Sequence, residues 1–94
     1  MFILTKLILT VRVEGVFSLK QKRSIVKRLK TYVVNTCNAC IAESHQQDSL
    51  RYIGLTIGFL SNSANVSNSL LQKLTEEIEI ISEGLIEEEQ IQQL

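Results

Sequence analysis

The chain has 94 residues, 45% of them hydrophobic, which is enough for one two-layer core and too apolar for a disordered segment. Ten basic and ten acidic side chains cancel to a formal charge of zero, which excludes a uniformly basic nucleic-acid binder or a uniformly acidic chain. No apolar run reaches the roughly 18–20 residues of a membrane-spanning helix, so no membrane partner is expected.

Residues 3–13 alternate in polarity. Ile3, Leu7, Leu9, Val11 and Val13 share one face, and Lys6, Ile8, Thr10 and Arg12 share the other. A period of two with branched side chains predicts a strand, which Glu14 and Gly15 end. Ser18 then opens a helix, with Gln21 three residues on in capping-box spacing. Ile25, Val26, Leu29, Val33 and Cys37 make its apolar stripe. Lys20, Arg23, Lys27 and Lys30 lie opposite, while Lys22 falls within the stripe. Residues 38–44 read as a short strand of small residues, followed by the polar loop "SHQQDS". Residues 50–60 alternate again, with Ile53, Leu55, Ile57 and Phe59 inward and Tyr52, Gly54, Thr56 and Gly58 outward. "SNS" at 61–63 offers N-caps for a second helix, whose stripe is Val66, Leu70, Leu74, Ile78 and Ile81. Gly84 suits its C-terminal end. The tail from Leu85 reads as a last strand, and its three consecutive Glu suit a sheet edge.

The order β-α-β-β-α-β predicts one domain spanning 1–94. Its expected form is an α+β, two-layer ferredoxin-like sandwich: a four-stranded antiparallel sheet with both helices on one face.

The cancelled charge hides an asymmetry. Residues 1–42 hold eight cations against one acid, a net +7, and residues 43–94 hold two against nine, a net −7. Six of those cations stand in "SLKQKRSIVKRLK" at 18–30. Such a division marks either a polyanion-binding face or two halves that neutralise each other on folding.

"SLKQKRSIVKRLK", "AESHQQD" and "GLTIGFLSN" together resemble the YlxP-like family of small bacterial proteins. The pattern maps to Ser18, Leu19, Lys20, Lys22 and Arg23, to Ala42, Glu43, Gln47 and Asp48, and to Ser61 and Asn62. The resemblance implies a ferredoxin-like fold, no established activity, and genes often found among those for translation initiation and ribosome maturation. On it, Ser18, Lys22, Glu43 and Asp48 are taken as structural motif residues. "CNAC" at 37–40 departs from the pattern.

That CxxC ends a helix, where the dipole opposes a thiolate, and His45 would be only a third ligand for zinc; both thiols read as small apolar residues. Glu43, His45 and Asp48 cluster in sequence without a nucleophile in obvious reach, and there is no Gly-rich phosphate loop. No catalytic residue, metal or cofactor is therefore expected. On the outward sheet face only Tyr52 is aromatic among the central-strand positions, unlike the base-stacking sheets of RRM domains. Its small residues instead would let another backbone approach, giving a dimer or partner surface. Lys22 is expected to reach a carboxylate such as Glu43, or a carbonyl. Lys20, Arg23, Lys27, Arg28 and Lys30 are the candidate phosphate contacts. The expected function is thus a non-catalytic cytoplasmic protein bound to RNA or a ribosomal particle. The alternative is a homo-oligomeric module using the open sheet face. The apolar N-terminal run contains Lys6 and Arg12 and is not expected to be a signal peptide. Two cysteines without export features point to a reducing compartment.

Overall fold

The computed structural model describes residues 2–94. Its elements are β1 (Ile3–Arg12), α1 (Leu19–Cys37), β2 (Cys40–His45), β3 (Tyr52–Ser61), α2 (Ala64–Ser82) and β4 (Leu85–Gln93). The strands form one antiparallel sheet in the order β2-β3-β1-β4. Each helix connects strands that are not neighbours: β3 lies between β1 and β2, and β1 lies between β3 and β4. This is the ferredoxin-like α+β arrangement.

Leu7, Leu9 and Val11 of β1, with Ile53, Leu55 and Ile57 of β3, are wholly buried. They share one core with Val26, Leu29 and Val33 of α1 and Leu71, Leu74 and Ile78 of α2. The buried apolar residues of β1 and β3 all have odd numbers, so both helices cover the same sheet face. Burial of each large side chain contributes roughly 1.5–3 kcal/mol. No helix among the described residues is long and apolar enough to cross a membrane.

Several details depart from the sequence expectation. β2 starts at Cys40 rather than 38, because Asn38 takes a left-handed conformation (φ 52°) that ends α1. The buried face of α2 is turned from the expected stripe: Ser67, Leu71, Leu74, Ile78 and Ser82 face inward, and Val66 is half exposed. Ser67 meets the end of β3, where its hydroxyl bonds that of Ser61. A small polar residue there lets the helix approach the strand. The left-handed residue ending α2 is Glu83 (φ 53°), not Gly84. Gly84 is required by space instead, since a Cβ there would lie 2.5 Å from the Arg12 carbonyl oxygen.

Candidate nucleic-acid interface

α1 begins on a capped turn. The Ser18 hydroxyl accepts from the Gln21 amide at 3.1 Å, and the Gln21 side chain accepts from the Phe17 amide at 2.7 Å. The returning bond thus lands one residue earlier than a capping box requires. Over its 19 residues α1 holds six cations and no acid. Lys20, Arg23, Lys27, Arg28 and Lys30 are all exposed. Among the described residues none of the five has an acidic partner within 4 Å, the ion pairs being Arg12–Glu14, Arg12–Glu87 and Lys22–Glu43. Lys20 to Lys30 spans about 15 Å along the helix. The acidic half of the chain therefore leaves the helix cations without direct neutralising contacts.

The sixth cation is part of the fold. Lys22 is 2% exposed. Its ammonium donates to the Gln46 carbonyl at 2.5 Å and the Gln47 carbonyl at 3.4 Å, and stands 3.4 Å from the Glu43 carboxylate. Glu43 pairs with Leu55 across the sheet and so lies on the helix-covered face. Gln46 is left-handed (φ 59°), and the Lys22 ammonium holds the carbonyls at that turn.

Glu43, His45 and Asp48 do not converge. A bulge between Glu43 and His45 carries His45 to the other face, where it is paired with Gly54. There His45 Nε2 lies 2.8 Å from the Thr10 hydroxyl and Nδ1 lies 2.9 Å from the Ser44 hydroxyl, which accepts from Thr56 at 2.7 Å. Asp48 is exposed in the turn. The open face is consequently not a smooth strip of small residues: the His45 ring covers Gly54, and a Cβ there would lie 2.5 Å from it. Nothing in the alternation of residues 50–60 signals this, because the bulge belongs to β2.

The two cysteines are free and differ in setting. Cys37 is in the core as expected. Cys40 is exposed beside Gly58, whose carbonyl accepts from its thiol at 3.3 Å; it is a surface residue, since its strand position faces the uncovered side. The Tyr32 hydroxyl is buried without an oxygen or nitrogen partner. Burial, reinforced by the nearby Cys37 thiol, raises its pKa well above the ordinary phenol value. Among the described residues no three of His, Cys, Asp and Glu are placed to hold a metal ion.

Two features were not apparent from the sequence. One is an apolar row on the open face. Leu4 pairs with Leu60 in register and exchanges backbone bonds with Leu94. All three are exposed, Leu60 at 67% and Leu94 at 87%. The other is a cavity of about 330 Å³ at the start of α1, lined by the β1–α1 loop, Leu50 and Arg51.

Residues 4–90 match the model of a family described as "Protein of unknown function (DUF503)". No curated protein matches the sequence significantly. Among solved structures, the chain is similar to the de novo designed protein Foldit4 (TM-score 0.56, 11% identity, covering 100% of this chain and 97% of that one). It is also similar to At3g17210 from Arabidopsis thaliana (TM-score 0.54, 12% identity, covering 97% and 92%). At these identities the likeness is one of fold.

Proposed function

Since the chain belongs to this family of unknown function, we propose a role from its own residues: a non-catalytic cytoplasmic protein that binds RNA or a ribosomal particle through α1. The observation that carries this reading is a helix with five exposed cations, no acid and no ion-pair partner for those five among the described residues. Regularly spaced cations position a phosphate backbone without reading its sequence. The resemblance to the YlxP-like family supports the same direction, through its gene neighbours in translation.

Five phosphate contacts to a single strand give a salt slope of about −3.5, or roughly 100-fold weaker binding between 50 and 200 mM salt. Filter binding of ribosomal RNA fragments measures it. The Lys27→Glu/Arg28→Glu double variant is expected to lose most low-salt binding and to flatten the slope. Absence of wild-type binding at low salt, or indifference to both reversals, refutes the reading.

A homodimer through the open sheet face is favoured by one separate observation, the row Leu94–Leu4–Leu60, which runs from the residue after β4 across β1 to β3. Exposed apolar patches of this kind mark contact surfaces. In this reading Leu60→Glu converts the dimer to a monomer in sedimentation or light scattering. A wild-type monomer at the highest concentrations tested removes the dimer.

A further inference from the structure

Phe17 stands where a hydrophobic staple begins, one residue before the Ser18 cap. The staple partner would be the fourth helical residue, and here that residue is Lys22, which is buried against the Gln46 and Gln47 carbonyls. Phe17 therefore has no apolar partner there and is 82% exposed. It borders the cavity of about 330 Å³ whose other walls include Val16, Leu50 and Arg51, within the range of small-ligand clefts. The Arg51 backbone is fixed by its carbonyl accepting from Val13 at 2.7 Å and its amide donating to Ser49. Its guanidinium has no acidic partner within 4 Å among the described residues. Glu14 also lines the cleft, but Arg12 lies 3.4 Å from its carboxylate. Arg12 is held by Glu14 and Glu87, which leaves Arg51 as the cleft's cation without an acidic partner among the described residues, and the cationic helix starts at the cleft's edge.

We propose that this cleft takes an unpaired base of single-stranded RNA, stacked on the Phe17 ring, with Arg51 on an adjoining phosphate. The inference rests on the RNA-binding reading of α1 and adds a substrate class to it. An aromatic face accepts any base, so the cleft selects single strands over duplexes without selecting sequence. The helix cations hold the backbone of either kind.

The test compares a short oligouridylate with an RNA duplex of mixed sequence. Phe17→Ala is expected to weaken oligouridylate binding about 5- to 100-fold with an unchanged salt slope, and to leave duplex binding unaltered. Arg51→Gln should reduce the oligouridylate slope by about one contact. The chain has no Trp, so Phe17→Trp places a single fluorophore in the cleft; its affinity should be retained and its emission quenched on titration with oligouridylate. Phe17 lies outside the core, and circular dichroism checks the fold of each variant. If Lys27→Glu/Arg28→Glu abolishes binding while Phe17→Ala does not weaken it, or if the Trp is not quenched, the base cleft is refuted and the helix reading stands. If wild type binds neither RNA, both fall.

Discussion

Replacing Lys22 by Ala is expected to destabilise the fold by about 3 kcal/mol, seen as a lower urea midpoint and a melting temperature lower by roughly 12–24 °C. The ammonium satisfies two backbone carbonyls and faces the Glu43 carboxylate. Its removal leaves Glu43 on the covered sheet face without a counter-charge and leaves both carbonyls without that donor. Glu43 keeps a side-chain exposure of 20%, which holds the cost at the lower end of the range for a broken buried pair. Lys22→Met restores most of the apolar stem but none of the three contacts, so it should recover only part of the loss. Combining Lys22→Met with Glu43→Gln should cost less than the two changes summed, because the second removes the charge the first left alone. An unchanged midpoint for Lys22→Ala would refute the anchor.

The same residue links the two proposed parts of the RNA surface. Lys22 belongs to the cationic helix and its ammonium holds the turn that leads to Leu50 and Arg51. Loss of the anchor should therefore weaken oligouridylate binding through Arg51 even in molecules that remain folded. Duplex binding, which draws on the exposed helix cations, should change less. That contrast separates loosening of the turn from general unfolding, which would reduce both.

The framework was legible because two periodicities dominate. Alternation in β1 and β3 identified Leu7, Leu9, Val11, Ile53, Leu55 and Ile57 as inward, and each is wholly buried. The helical stripe of α1 placed Val26, Leu29 and Val33 in the core and set Lys22 among them. What was not legible depended on contacts distant in sequence or on single-residue shifts. The face of α2 turned because Ser67 has a partner in Ser61. His45 changed faces because one bulged residue reverses the side-chain direction that follows it. The exposure of Phe17 followed from Lys22 being directed inward, which the sequence did suggest, but the cleft needed Leu50 and Arg51 brought alongside. Four of the five exposed cations, Lys20, Arg23, Lys27 and Lys30, could be assigned to one surface from their spacing; the lack of acidic partners could not, because it depends on where the acidic half of the chain folds.

Gly54→Ala is expected to cost about 3 kcal/mol, at the upper end for an overpacked site. The added Cβ would lie 2.3 Å from the His45 carbonyl oxygen and 2.5 Å from two atoms of its ring. The ring can rotate away, at the loss of its bond to Thr10, but the carbonyl belongs to the bulged backbone of β2. His45→Ala should therefore be milder than Gly54→Ala, and the double variant should stay nearly as unstable as Gly54→Ala alone. Full rescue by His45→Ala would show that only the ring clashes. The distinction also bears on the open face. Because His45 already occupies the space above Gly54, a partner copy cannot pack directly on that glycine and must use the Leu4–Leu60–Leu94 end. Gly54→Ala should then lower the urea midpoint independently of protein concentration, whereas Leu60→Glu should alter association and leave the monomer's midpoint nearly unchanged. Dissociation caused by Gly54→Ala in protein that is still fully folded would place the contact over His45 instead.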